Sequence, residues 1–434
     1  MSEDPLLEVR DLEKHFPITE GLFRRETGRV RAVDGVSFEV GHGETFGLVG
    51  ESGCGKSTTA LSLLRLEEPT GGEVRFDGED VLEYDGAELR SFRRRVQLVL
   101  QDPDSAFNPR RTVGEAVAEP LEVHGIDDPE RRRRVVEDTL ERVGLSASDA
   151  DDYPHEFSGG EKQRIAIARA LVLNPDLIVA DEPVSALDGR TKTDVLALLG
   201  DLQREFDLSV LLISHDIGLI RRFCDRIGVM YLGSLVETGT AAEVVEDPKH
   251  PYTRMLVSSV PSLDPAETST AIETPSEELP DAADVPSGCR FHPRCPAIVP
   301  PESVELPRER WLDVVGFRFH LDDEWDDAAT LRSSLSSAGG EVTSPESIRE
   351  RFDLGDPLGD EAVEAAVADA AEAIANDDLE RARTRLEAAT ETVCERHSPD
   401  RTVESDGRTV ACHRYDPDEP GEPLADAGSG AGLE

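Results

Sequence analysis

The sequence predicts an α/β domain built on a mostly parallel sheet, followed by a smaller, partly helical extension. Three observations predict it. Residues 1 to about 256 alternate short apolar runs with longer helical patterns, the signature of strands joined by helical crossovers. Asp176-Leu-Ile-Val-Ala180 and Ser209-Val-Leu-Leu-Ile-Ser214 are continuously apolar, as strands covered on both faces must be. Glu44-Thr-Phe-Gly-Leu-Val49 runs into a Gly-rich turn and then the helical run Thr58 to Leu66, while the 176–180 run ends at paired carboxylates. Both strands therefore deliver polar groups at their carboxyl ends, where open α/β sheets bind ligands.

The surface is acidic. The 434 residues carry 91 Asp and Glu against 46 Lys and Arg, a formal charge of -45. Lysine stands only at positions 14, 56, 162, 192 and 249. Acidity with 5% aromatics is compatible with disorder, but the apolar strands argue for a folded protein with an acidic coat. The pattern resembles the haloarchaeal-like composition of proteins working in molar internal salt, where charge repulsion is screened within a few ångströms. A salt-requiring, halophilic fold is expected, which full stability in low-salt buffer would refute. Nucleic acid is excluded as a partner, because phosphate backbones demand clustered Lys and Arg. No apolar stretch approaches the roughly 18 residues of a spanning helix, and Met1-Ser-Glu-Asp-Pro5 lacks the basic-then-apolar pattern of a signal peptide. A cytoplasmic chain is expected, its six cysteines thiols or metal ligands rather than disulfides.

Gly50-Glu-Ser-Gly-Cys-Gly-Lys-Ser57 matches G-x-x-x-x-G-K-[ST] in the required strand-to-helix context. Gly50, Gly53 and Gly55 let the N–H groups of the loop, with those of Ser52, Cys54 and Thr58, converge on phosphate oxygens at the positive end of a helix. Lys56 adds a charge on the β and γ phosphates of ATP, and the Ser57 hydroxyl is placed to ligate Mg²⁺. Cys54 reads as a small space-filling residue. At the other strand end, Asp181 would hold the Mg²⁺ hydration shell and Glu182 would polarise or deprotonate the attacking water.

Between these sites lies Phe157-Ser-Gly-Gly-Glu-Lys-Gln-Arg164, and here the chain resembles the nucleotide-binding domains of ABC transporters. Gln101 in Leu100-Gln-Asp-Pro103 matches the family's Q-loop, Ser185-Ala-Leu-Asp188 its D-loop, and His215 in Ile213-Ser-His-Asp216 its switch histidine. The resemblance implies a P-loop NTPase fold with a RecA-like core, a helical subdomain and an antiparallel β part. It further implies head-to-tail pairing of two such domains. Ser158, Gly159 and Gly160, with Asp188 nearby, would then meet the nucleotide held by the partner. Gln101 would sense Mg²⁺ and the γ-phosphate, and His215 would hold the γ-phosphate and water. Phe16 resembles the aromatic that stacks on adenine, with a core aromatic as the other reading. Glu161 stands where the commonest family residue is Gln, from which a tuning of activity is expected.

The branch is indicated outside the cassette. His250-Pro-Tyr-Thr-Arg-Met-Leu256, Ser259-Val-Pro261 and Val285-Pro-Ser-Gly-Cys-Arg-Phe-His-Pro-Arg-Cys-Pro296 resemble the end of oligopeptide and dipeptide importer ATPases. His15-Phe-Pro17, Gly21-Leu-Phe23 and Arg31-Ala-Val-Asp-Gly-Val-Ser-Phe38 resemble their F-type subunit. That implies a second ATPase subunit, a D-type relative or a copy of itself, two membrane permease subunits, an external solute-binding protein, and a place on the inner face of the plasma membrane. Nickel or oligosaccharide import remains the alternative, and a non-transport ABC ATPase a more distant one.

Cys289, Cys295, Cys394 and Cys412 are similar to the set that binds a [4Fe-4S] cluster in some dipeptide-importer ATPases, here split by about 98 residues between the second and third. A cluster, Zn²⁺ with His292, His397 or His413 as alternative ligands, and four unliganded thiols all stay open. Within the inserted stretch Val363, Ala366, Val367, Ala370 and Ile374, then Leu379, Ala382, Leu386, Ala389 and Val393, recur at helical spacing about Asn376-Asp-Asp378, predicting a two-helix hairpin. The expected organisation is a nucleotide-binding domain over 1–256 with its helical subdomain at about 102–170. A linker and the first half of the Cys-containing region follow over 257–298, an acidic helical insertion over 299–391, the second half over 392–415 and a disordered tail over 416–434.

Overall fold

The computed structural model describes residues 4–20, 25–259, 280, 282–322, 325, 327–337, 344–355, 357–404 and 407–416. The Gly21-Leu-Phe23 motif, most of the linker and all but the first residue of the C-terminal tail expected over 416–434 lie outside them. The chain divides into two compact units, Met1–Val245 and Glu246–Glu434.

The first unit opens with β1 (Leu7–Glu20) and β2 (Arg25–Val40), then β3 (Thr45–Val49), α1 (Lys56–Leu63), β4 (Gly71–Phe76), β5 (Glu79–Asp80), α2 (Gly86–Arg95) and β6 (Val96–Val99). A helical stretch follows: α3 (Pro103–Ala106), α4 (Val113–Val123), α5 (Pro129–Arg142) and α6 (Gly159–Leu171). The unit closes with β7 (Leu177–Asp181), α7 (Gly189–Phe206), β8 (Ser209–Ser214), α8 (Ile217–Phe223), β9 (Arg226–Tyr231), β10 (Ser234–Thr240) and α9 (Ala241–Glu246).

Strands β2-β1-β4-β5 form an antiparallel sheet. The core sheet runs β10-β9-β3-β8-β7-β6, parallel from β9 to β6, with β10 antiparallel at its side. Every residue of β3, β7 and β8 is buried, the consequence of elements packing on both faces of a parallel sheet. Register decides where the chemistry falls. Val49 pairs with Ser214 and Asp181 with Ile213, so the carboxyl ends of β3, β8 and β7 lie side by side, with β6 next in line.

The second unit holds α10 (Pro251–Ser258), α11 (Arg308–Asp322), α12 (Ala328–Ser337), α13 (Pro345–Arg351), α14 (Glu361–Ala375), α15 (Leu379–Thr390), α16 (Val393–Arg396) and the hairpin of β11 (Arg401–Val403) with β12 (Thr409–Ala411). α14 and α15 occupy the two periodic stretches, but the two-helix expectation was too small. α11, α12 and α13 join them, and Val314, Phe317, Leu331, Ile348, Val367 and Leu386 share one apolar core. α11 escaped a periodicity reading because it is buried nearly all round, Trp311, Val314, Val315, Phe317, Phe319 and Leu321 leaving no polar stripe.

α11 also holds the two cysteine-bearing segments. Trp311 Nε1 donates to the Ile298 carbonyl at 3.2 Å, and Arg318, 5% exposed, pairs both guanidinium ends with Glu395, 9% exposed. The Thr390 hydroxyl accepts from Arg318 and the Thr392 N–H donates to Glu395, adding hydrogen bonds of the kind a buried ion pair requires.

His250 caps α10 in the same unit, its Nδ1 accepting from the Tyr252 N–H at 3.1 Å. Its ring lies 5.8 Å from that of Phe291. Burial lowers its pKa from the usual imidazole value to about 3. The unfolded chain takes up this proton near pH 6.5, whereas the folded chain refuses it until about pH 3. Stability therefore falls as pH drops through that window, by about 1.4 kcal/mol per pH unit. Denaturant titrations at pH 7, 6, 5 and 4 should show this slope in native protein and a flatter one in His250→Asn. Equal slopes would rule His250 out as its source.

Candidate active site

The phosphate loop spans the gap between β3 and α1. Gly55 has φ +107°, and a Cβ there would stand 1.9 Å from the Ala32 carbonyl oxygen. At Gly50 a Cβ would stand 2.1 Å from the Met230 carbonyl oxygen. The loop is thus pressed against the backbones of β2 and β9, and only glycine permits both approaches. Ser52, Gly53 and Ser57 are exposed, and Thr58 is half-buried in the first turn of α1. Cys54 is buried, and burial raises its thiol pKa, which agrees with a space-filling role.

The Lys56 ammonium, 4% exposed, donates to the Gly50 and Glu51 carbonyls at 2.9 and 2.8 Å, so it is drawn across the loop. The Ser57 hydroxyl donates to Asp181 Oδ1 at 3.1 Å. Burial raises the Asp181 pKa, the Ser57 hydrogen bond opposes that shift, and the neighbouring Glu182 charge adds to it. A bound cation would relieve the repulsion. The glycine cradle, the positive helix end and this hydroxyl–carboxylate pair fit ATP with Mg²⁺, which Lys56, Ser57, Asp181 and Gln101 would hold.

Glu182 sits at φ +45°, a region costly for a non-glycine residue, and its N–H donates to Ile213 at 2.9 Å. Its Oε2 lies 3.1 Å from Gln101 Nε2 and 3.1 Å from His215 Nδ1. Three residues remote in sequence therefore converge on one carboxylate oxygen, because β6, β7 and β8 end together.

Ser158, Gly159, Gly160 and Asp188 form a different group. Ser158 caps α6 in a box with Glu161, whose Oε2 accepts from the Ser158 N–H at 2.8 Å and from its hydroxyl at 2.7 Å. These hydrogen bonds hold the Glu161 carboxyl below its usual range. A Cβ on Gly160 would stand 2.4 Å from Thr191 Cγ2, and Asp188 caps α7 by accepting from the N–H groups of Arg190 and Thr191. Phe16 is half-buried on β1, with the Lys14 ammonium 4.7 Å from its ring centroid, so it is not a wholly internal aromatic.

The cysteine segments do meet: the Cys289 N–H donates to the Cys394 carbonyl at 2.7 Å, and Ser287 to that of Glu395 at 3.0 Å. Burial, with smaller contributions from neighbouring cysteines, pushes Cys289 and Cys295 well above the ordinary thiol range. The expected cluster or zinc site nevertheless gains no support. Among the described residues no three His, Cys, Asp or Glu are grouped as a metal ion requires. His292 Nδ1 and His413 Nε2 meet the carbonyls of Cys289 and His397, each at 2.9 Å, which fixes each ring's orientation through one nitrogen.

Sequence reasoning missed Lys162, Asp104 and Arg169. Lys162 Nζ lies 2.6 Å from Asp104 Oδ1, and Arg169 donates to the Ala106 carbonyl at 3.0 Å and to Glu119 at 2.7 Å. Lys162 stands within the signature run and is one of only five lysines, but nothing local in the sequence ties it to Asp104.

A phosphate cradle, a strand-end carboxylate pair, two side chains on one carboxylate oxygen and a separate glycine-led helix start together define an ATP-hydrolysing ABC cassette. Residues 33–185 match the family model described as ABC transporter. Residues 236–300 match the oligopeptide/dipeptide transporter C-terminal region, and 308–407 a domain of unknown function. The chain is 47% identical over 308 residues to the oligopeptide transport ATP-binding protein AppF of Bacillus subtilis, covering 70% of this chain and 94% of that protein. It is 45% identical over 293 residues to the dipeptide transport ATP-binding protein DppF of Escherichia coli, covering 68% and 87%. The chain belongs to the ABC transporter ATP-binding proteins of the oligopeptide/dipeptide family, and it is an ATPase.

Proposed function

We propose that this chain powers the import of oligopeptides or dipeptides, pairing head to tail with a second ATPase subunit beneath two permease subunits that receive cargo from a solute-binding protein. The match of residues 236–300 to the peptide-transporter C-terminal region carries this reading, supported by relatives named for peptide transport. Among the described residues no helix is long and apolar enough to cross a membrane, which accords with a peripheral subunit on its cytoplasmic face.

Bound Mg²⁺ supplies charge neutralisation between the β and γ phosphates. Glu182 orients the attacking water and accepts its proton as the bond from the γ-phosphorus to the ADP oxygen breaks. His215 holds the γ-phosphate, and Gln101 reports its presence. Ser158, Gly159 and Gly160 close over the partner's nucleotide, with Asp188 positioning the adjoining loop, and Phe16 stacks on adenine. The four C-terminal cysteines, three of them buried, serve as reduced thiols, and the salt-requiring fold is proposed from composition alone.

The test is ATP turnover by the full-length chain assembled with its permease and partner ATPase in liposomes. Binding protein loaded with short peptides should stimulate turnover several-fold. Stimulation by nickel-loaded or oligosaccharide-loaded binding protein instead would keep the ATPase role and overturn the peptide reading.

A further inference from the structure

We propose that Lys162 and Arg169 form a two-point clamp that carries movement of Gln101 to Ser158, coupling the nucleotide on this chain's own phosphate loop to the one its signature meets across a partner. The proposal rests on the head-to-tail reading above.

Gln101, held to Glu182 at 3.1 Å, is separated from α3 by Asp102 alone. α3 is four residues long, capped by the Asp102 side chain accepting from the Asp104 N–H, and Pro103 in it is buried. It has almost no internal stability and must move with whatever grips it. Two cations of α6 do so. Lys162, its side chain 16% exposed, reaches Asp104 Oδ1 at 2.6 Å, and Arg169 reaches the Ala106 carbonyl at 3.0 Å.

Lys162 and Arg169 are seven residues apart, about two turns or roughly 10 Å, and so share one face of α6. Ser158 is the N-cap of that same helix, four residues before Lys162. A displacement of Gln101 is passed to α3, gripped at both ends, and α6 moves as a rod with Ser158 at its tip. Arg169 also binds Glu119, which Arg111 holds at 3.1 Å, so α4 is tied to the same rod.

The Lys162–Asp104 pair separates coupling from folding. Asp104 is 66% exposed, and an ion pair open to water on one side adds little to stability. Its loss should leave the fold intact, and a change in turnover would report communication.

The experiment uses the full-length chain assembled with its permease. Lys162→Met is expected to lower kcat about ten-fold and to weaken ATP-driven pairing of Glu182→Gln protein. The KM for ATP, binding of a fluorescent ATP analogue and the thermal midpoint should stay near native. Lys162→Arg should retain most of the activity, and Lys162→Asp combined with Asp104→Lys should recover it to within about three-fold. Native kcat in Lys162→Met, no recovery in the charge exchange, or a loss that follows nucleotide binding or thermal stability would each overturn the clamp. If Glu182→Gln alone fails to pair with ATP, the underlying reading of the site fails instead, and kcat of the Lys162 variants still judges the coupling.

Discussion

Replacing Glu182 with Gln is expected to cut ATP turnover by about 10²–10⁴-fold while leaving ATP binding intact. In the mechanism proposed above the carboxylate accepts the proton of the attacking water, and its Oε2 already sits 3.1 Å from both Gln101 and His215. An amide keeps the size and one acceptor oxygen, so those contacts and the φ of +45° can persist. What it cannot do is take a proton from water. ATP bound between two chains would then remain uncleaved, and an ATP-dependent pair should accumulate, visible by light scattering in molar salt. Native turnover in this variant would remove Glu182 from the chemistry.

Gly55→Ala is expected to abolish nucleotide binding and to destabilise the first unit by roughly 3 kcal/mol or more. The added Cβ would lie 1.9 Å from the Ala32 carbonyl oxygen and 2.8 Å from Met230 Cε, at φ +107°, so neither rotation nor a small shift clears it. Only withdrawal of the loop from β2 would, and that moves the N–H groups away from the phosphates. Gly53→Ala is the control. It has φ +82° but meets nothing within 4 Å, so it should lose only the conformational part, detected as a smaller drop in denaturation midpoint with binding retained. Equal effects of the two substitutions would show that the contact with Ala32 is irrelevant.

These two outcomes bear on different sources of information. Glu182 was legible in the sequence because an apolar run ended in two carboxylates, a pattern that periodicity exposes. Its convergence with Gln101 and His215 was not, since the three residues come from strands 80 positions and more apart in one case and about 30 in the other, and only register places them together. The helices α14 and α15 were legible from their apolar stripes. α11 was not, because a helix buried on all sides carries no stripe. The four cysteines were legible as a set, yet sequence could not say that the Cys289 and Cys394 segments meet through backbone hydrogen bonds or that His292 and His413 each meet a backbone carbonyl.

By itself the sequence determined the phosphate loop, the carboxylate pair, the signature and the acidic coat, because each is a local run of residue types whose chemistry needs no distant partner. The tertiary structure alone decided that Glu182 is bracketed by Gln101 and His215, that Gly50 and Gly55 are enforced by neighbouring backbones, and that Lys162 grips Asp104 across 58 positions. The physical reason is that hydrogen bonds and steric contacts act over a few ångströms in space, and sheet order and register set which distant residues come that close.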